Sequence, residues 1–331
     1  MRSAAIFGPE GPVITDWERA FFRDFAPWGF ILFARNIETP DQLRRLTGDL
    51  RAAVGFDAPV LIDQEGGRVQ RMRSPHWAEW LPPLDQMQQA SDGVRAMWLR
   101  YRLIAEELRA VGIDANCAPC ADVAGPLTHP FLRNRCYGQD AVTVMDTART
   151  VAQAHLAAGV LPVVKHIPGH GRATVDSHKD LPRVTAPRAQ LEAQDFAPFK
   201  ALADLPLGMT AHIVFEDIDA LGPATTSRTM MDLIRHDIGF QGLLMTDDIS
   251  MEALSGDVAA RSRASIAAGC DVVLHCNGDS REMIAVAQAA GPMSAAAQAR
   301  GEAALAMRKP PTPVDISALR SEFEALLGEA P

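Results

Sequence analysis

Residues 165–178, KHIPGHGRATVDSH, gather three histidines, a lysine and an aspartate within fourteen positions. Gly169, Gly171 and the prolines at 168 and 182 argue against a helix, so the stretch reads as a loop. His166, His170 and His178 have in principle the spacing to hold a metal. Metal-dependent barrel hydrolases usually carry an H-x-H on their first strand, however, and residues 4–8 contain none. Asp176 and His178, two apart in an extended loop, fall on one side of the chain, so carboxylate and imidazole can touch. A carboxylate stabilises imidazolium and lifts the histidine pKa toward neutrality. Such a histidine can give a proton to a leaving oxygen and later take one from water. A further carboxylate, Asp247, follows the apolar run Leu-Leu-Met-Thr and precedes Asp248. Neighbouring side chains of an extended segment point to opposite sides, so one acid can enter a pocket while the other orients a neighbour. A pocket carboxylate beside Lys165 stays ionised at neutral pH. An ionised carboxylate plus a proton donor on a separate loop is the minimum kit for retaining glycoside hydrolysis, here with histidine in place of the usual second carboxyl.

These groups need a scaffold that brings them together. Eight short apolar bursts, at 4–8, 29–34, 59–63, 113–119, 160–165, 207–212, 242–246 and 271–275, alternate with longer amphipathic stretches. Those stretches predict helices over 16–25, 39–54, 91–111, 140–158, 187–203, 227–238, 257–268 and 280–290. Thr39-Pro40 is a strong helix opening, with Thr as N-cap and Pro in the first turn. Near-continuous apolar strands suit a parallel sheet buried on both faces. Eight strand–helix units at this length predict an α/β protein with a closed (β/α)8 TIM-type barrel. The expectation is one catalytic domain over 1–331, with a barrel core of about 4–290 and a helical extension over 291–331. No Gly-rich dinucleotide fingerprint follows the first strand, which disfavours an open nucleotide-binding sheet.

Barrel active sites lie at the C-terminal ends of the strands. There the sequence sets Asp63 with Gln64-Glu65-Gly66-Gly67-Arg68, then Lys165-His166, His212, Asp247-Asp248, and His275 with Asn277. Salt bridges between loops would account for one or two such ends, not for so many converging on one mouth. Trp77 and Trp80, in the long loop after the third strand, suit loop packing better than sugar stacking.

With 32 Lys+Arg against 41 Asp+Glu, the net charge of −9 disfavours a nucleic-acid binder or a basic membrane-surface protein. No apolar run reaches the roughly 18 residues of a bilayer-spanning helix, and the first residues lack a signal-peptide core. Five cysteines suggest reduced, buried thiols rather than a disulfide framework. The Cys117-x-x-Cys120 pair falls in an apparent strand and lacks the second pair that a structural zinc site needs.

At these residues the sequence resembles glycoside hydrolase family 3, in its single-domain, NagZ-type β-N-acetylhexosaminidase branch. The resemblance rests on KHIPGHGRATVDSHKDLP (165–182), LIDQEGGRVQR (61–71), NRCYG around Arg135 and MTDDISM (245–251), in the family's order from about residue 5 to 290. It implies a retaining exo-hydrolase of terminal β-linked N-acetylglucosamine. The implied substrates are muropeptide fragments of peptidoglycan recycling in the bacterial cytoplasm. Asp247 matches the nucleophile, His178 the acid/base and Asp176 its partner. Asp63, Arg71, Arg135, Lys165 and His166 match the residues that hold the sugar. No metal or organic cofactor is implied. No nucleic-acid or membrane partner is expected, and a monomer is the default. Ile167 stands where the family more often has Phe, and the cysteines of NCAPCADV replace larger or plainer residues; both departures read as packing. Three alternatives stay open: an N-acetylglucosamine phosphorylase using the same nucleophile, a metal-dependent hydrolase, and a non-catalytic sugar-binding module.

Overall fold

The computed structural model describes residues 2–177 and 179–328. Its strands are β1 (Ser3–Phe7), β2 (Pro27–Leu32), β3 (Val60–Ile62), β4 (Ala115–Asn116), β5 (Leu161–Ile167), β6 (Arg183–Val184), β7 (Leu207–Thr210), β8 (Val214–Phe215), β9 (Leu243–Asp248) and β10 (Val272–His275). Eight of them close a parallel barrel in the order β1-β10-β9-β7-β5-β4-β3-β2. Register pairs such as Leu61↔Ala115, Val163↔Leu207 and Ile6↔Leu274 carry the ladder round. β6 and β8 form a separate two-stranded parallel sheet beside the barrel.

The barrel strands are buried on both faces, which explains their unbroken apolar runs. Around them run helices with built ends. Asp16–Phe25 opens on a capping box, in which Thr15 and Glu18 bond each other's backbone N–H. Pro40–Val54 opens on Thr39 with Pro in its first turn, as the sequence predicts. The next long helix, Gly93–Ala110, is capped by Asp92, whose carboxylate accepts from Arg95 N–H at 3.0 Å.

Four expectations need correction. The helix expected over 187–203 is three pieces: Arg188–Gln190, a wider five-residue-spaced turn over Leu191–Asp195, and Ala197–Ala201. Pro198 has no N–H to continue the ladder, and Phe196 N–H donates instead to Leu191 O at 2.8 Å. The 227–238 helix widens likewise over Leu233–Asp237. The long loop after β3 contains a helix, Pro83–Gln89. Finally, β4 is only Ala115–Asn116, so Cys117 and Cys120 lie beyond it rather than in a long strand; Cys120 keeps one bridge to Lys165.

The extension over 291–331 contributes two described helices, Ala295–Leu305 and Ile316–Leu326. Gly301 lies so near Trp28 that a Cβ there would come within 2.7 Å of the indole nitrogen. Phe323 packs edge-on to Trp80, ring centroids 5.4 Å apart. Two acids at the N-terminal ends of barrel strands reach this extension. Asp271 accepts from Leu244 N–H (2.9 Å), Arg235 (2.7 Å) and Arg300 (2.8 Å). Asp114 accepts from Val60 N–H (2.8 Å), Arg51 (3.0 Å) and Arg308.

Candidate active site

At the opposite, C-terminal ends of the strands lies a cavity of about 120 Å³. Its walls include Asp63, Arg71, Arg135, Lys165, His166 and Asp247, residues drawn from four separate parts of the sequence.

Asp63 leaves β3 and takes one donor on each carboxylate oxygen. Lys165 Nζ reaches Oδ1 at 2.8 Å and Arg71 reaches Oδ2 at 3.0 Å. Buried Gln64 holds the turn that returns Arg71 to this place, its Oε1 accepting from the N–H groups of Arg71 (2.9 Å) and Met72 (3.1 Å). Burial pushes the Asp63 carboxyl up, but the Lys165 and Arg71 charges outweigh it and hold the group below the usual carboxylate range. Arg71 Nε is buried with no hydrogen-bond partner among the described residues. Such a donor costs free energy until an oxygen meets it, and a ligand hydroxyl in the cavity can do so.

Glu65 was legible in the LIDQEGGRVQR block, yet its role was not. It is fully buried and grips Arg135 through two bonds of 2.9 and 2.8 Å, the geometry in which guanidinium and carboxylate match best. Its Oε1 also lies 2.5 Å from Lys165 Nζ. Burial again opposes ionisation, and Arg135 and Lys165 override it, bringing the carboxyl to about 2. Lys165, buried, is pushed down by desolvation but carried well above its ordinary value by Asp63 and Glu65. The cation expected beside Asp247 is therefore committed to two other acids. Gly66, at φ 108°, is required here: a Cβ would stand 1.8 Å from the Arg100 guanidinium.

His166 is held from behind by Asp122, a second group that sequence reasoning missed. Its Nδ1 lies 2.7 Å from Asp122 Oδ2, and the same carboxylate accepts from His170 N–H at 2.6 Å. Burial raises the Asp122 carboxyl, while the His166 and His170 side lowers it to about 2. With Nδ1–H given to Asp122, the tautomer that satisfies this bond leaves His166 Nε2 as an acceptor.

Asp247 and Asp248 close β9. Asp247 lines the cavity, half-buried, and its Oδ1 accepts from Asp248 N–H at 2.8 Å. Asp248 turns to its own loops, accepting from Ser250 Oγ (2.7 Å) and Cys276 N–H (3.2 Å). Asp176 is half-buried beside Ser177, which lines the same cavity. His178 lies outside the described residues, so its approach to Asp176 stays an expectation.

Two strand-end histidines do not join the site. His212 ties Thr225 (2.7 Å) to the carbonyl of Asp248 (3.0 Å). His275 bonds Glu282 at 2.9 Å. Trp77 and Trp80 are buried in packing away from the cavity. The His166, His170 and His178 spacing is not expected to hold a metal, and His178 lies outside the described residues; among the described residues, the group with ligand atoms mutually within 4.8 Å is Cys120, Asp122 and His166.

The family model described as "Glycosyl hydrolase family 3 N terminal domain" matches residues 22–304. The chain belongs to glycoside hydrolase family 3. This family 3 protein is 35% identical over 286 residues to a β-hexosaminidase of Bordetella avium, covering 81% of each chain. NagZ from Neisseria gonorrhoeae, solved in complex with N-trifluoroacetyl-D-glucosamine, superposes with a TM-score of 0.84 at 27% identity, over 99% of this chain and 96% of that one. A family 3 β-N-acetylglucosaminidase from Paenibacillus sp. gives 0.86 at 26% identity, over 97% of this chain; the chain spans 66% of that longer protein. The fold, the cavity and the family together make the chain a glycoside hydrolase with a (β/α)8 barrel.

Proposed function

We propose that this glycoside hydrolase is a retaining exo-β-N-acetylglucosaminidase acting on terminal β-linked N-acetylglucosamine. The observation that carries the reading is one cavity shared by Asp247 and by the Asp63–Lys165–Arg71 cluster. Asp63 keeps its charge through two cations, and each of its oxygens retains a lone pair for a sugar hydroxyl. Arg71 Nε, Arg135, Lys165 and His166 supply donors and an acceptor around it. A site built this way rejects sugars whose hydroxyls leave those groups unmet. The names of the relatives and the amido sugar of the Neisseria complex support an N-acetyl sugar in this role.

In the proposed reaction the Asp247 carboxylate attacks the anomeric carbon while His178, oriented by Asp176, protonates the departing oxygen. The glycosyl-aspartate is then released by water, whose proton returns to His178. The substrates we assign are muropeptide fragments, in peptidoglycan recycling in the cytoplasm.

A panel of aryl α- and β-glycosides with and without the 2-acetamido group tests sugar and anomer together; preference for a sugar lacking that group, or for the α anomer, would sink the assignment. Denaturing mass spectrometry tests the intermediate. His178→Ala, given an activated aryl glycoside, should accumulate a one-sugar adduct, because loss of the base slows release. Asp247→Ala should yield none, and an adduct in that variant removes Asp247 from its role.

A further inference from the structure

Behind the sugar cavity, Cys120 and Asp122 stand against the back of His166 and take no part in the proposed glycosyl transfer. Cys120 and Asp122 are fully buried and His166 nearly so. The bridge between Cys120 and Lys165 sets residue 120 beside the start of the Lys165-His166 pair, and Asp122 reaches across to the His166 ring. Cys120 Sγ lies 3.4 Å from Asp122 Oδ2, and the same oxygen lies 2.7 Å from His166 Nδ1.

A sulfur, a carboxylate oxygen and an imidazole nitrogen are the ligand types of zinc. Metal–ligand distances of about 2.0–2.3 Å put neighbouring ligands of a tetrahedral ion about 3.3–3.7 Å apart. The sulfur–oxygen separation already has that value; the nitrogen–oxygen pair needs to open by about half an ångström. The charges suit burial as well: a divalent ion with a thiolate, a carboxylate and a neutral imidazole is neutral overall, where an uncompensated ion would be costly. A second feature marks the place. The His170 ring packs against His166 with centroids 5.5 Å apart, and its Nδ1 is buried without a partner among the described residues. The neighbourhood thus holds more nitrogen donor capacity than its hydrogen bonds consume.

We propose that Cys120, Asp122 and His166 form a site for a thiophilic divalent cation of the zinc type, and that its occupancy shuts the sugar site through His166. On binding, the Cys120 thiol loses its proton to solvent and the thiolate takes the ion. His166 gives Nδ1 to the ion and moves its proton to Nε2. That nitrogen lies 3.5 Å from an Arg135 N–H. An acceptor beside a guanidinium becomes a donor facing a donor, so the cavity loses one of its two polarities at that wall. The inhibitory half rests on the assignment of His166 to the sugar; the binding half does not.

Cobalt(II), a coloured substitute for zinc, tests binding on the full reduced chain without any turnover. The expected result is one equivalent bound with a thiolate-to-cobalt charge-transfer band in the near ultraviolet, displaced by zinc and lost in Cys120→Ala. Zinc should inhibit the wild type at a concentration at least tenfold below that needed for Cys120→Ala, whose metal-free activity is unchanged. Absence of the band, or its persistence in Cys120→Ala, overturns the site. Binding that survives Cys120→Ala and disappears in Asp176→Asn assigns the metal to the 165–182 loop instead. A band without zinc inhibition overturns the switch. Failure of the glycosidase assignment would appear in the glycoside panel and leave the cobalt spectrum untouched.

Discussion

Glu65 shows how a side chain that need not touch substrate can set the character of a site. It neutralises Lys165 and Arg135 together and fixes the direction of both. Glu65→Gln keeps the shape but leaves two buried cations sharing one remaining acid. Removing one partner of such a network costs about 2–4 kcal/mol. We expect kcat/KM to fall by roughly 30- to 1000-fold, mostly through KM as the donors lose their aim, with the fold retained by circular dichroism. Equal KM with reduced kcat would instead make Glu65 part of the chemical step. Asp63→Ala should be as severe and should erase discrimination between sugar epimers, read as the ratio of kcat/KM values on paired aryl glycosides. Both carboxyls are held below their ordinary range in the folded protein, so their stabilisation is present above the unfolded pKa and is lost as pH falls through the folded value, about 2 for Glu65 and lower still for Asp63. The identity of Asp63, Lys165 and Asp247 as cavity residues was legible because charged types at the exits of apolar strands have few other reasons to be there, whereas Arg71, in the loop beyond β3, was marked only by the family resemblance. The Glu65–Arg135 bond was not, since it joins residues 70 apart on two irregular loops. Asp122 gave no signal either: a single acid after Cys-Ala reads as an ordinary loop residue.

At the scale of elements, His155 links the helix Ala141–Ala157 to the barrel. Its Nδ1 donates to Val151 O at 2.9 Å and its Nε2 accepts from Asn116 at 3.0 Å, so the neutral ring is fully satisfied. Burial pushes its pKa down to about 4. An unfolded histidine titrates near 6.5. Between those values only the unfolded chain takes the proton, so stability declines as pH drops through that window, by about 1.4 kcal/mol per pH unit for one such group. The urea midpoint should therefore fall from pH 7 to pH 4, and His155→Gln should flatten the slope by about one proton. An unaltered slope would mean that the ring titrates in the folded state. The strand–helix alternation was readable because buried parallel strands leave no polar face and helices leave a periodic one. The broken helices at 188–201 and 228–237 were not, because a single extra residue in a turn barely disturbs an apolar period. The short helix Pro83–Gln89 escaped notice for a different reason: seven residues show hardly two turns of pattern.

On the scale of the whole molecule, the extension is part of the barrel's base rather than an appendage. Asp114 and Asp271 sit at strand starts, and each takes one of its cations from beyond residue 299. Ending the chain at residue 314 removes the helix Ile316–Leu326 and uncovers Trp80, but leaves both ion pairs in place. That truncated protein should fold with a lower Tm and a red-shifted tryptophan emission while turnover persists. Ending it at 294 strips Arg300 from buried Asp271 and Arg308 from half-buried Asp114 and bares Trp28, and it should not give a cooperative unfolding transition. If the shorter chain melts as sharply as the full one, the extension is dispensable packing. The geometry of closure also bears on biosynthesis. β1, made before every other barrel strand, completes its ladder only against β10, near residue 273, and the acids beneath wait for arginines at 300 and 308. A ribosome that has delivered β9 but not β10 thus holds a curved sheet with two open edges, and the arrival of residues 272–275 and of the arginines behind them decides when it becomes a cylinder.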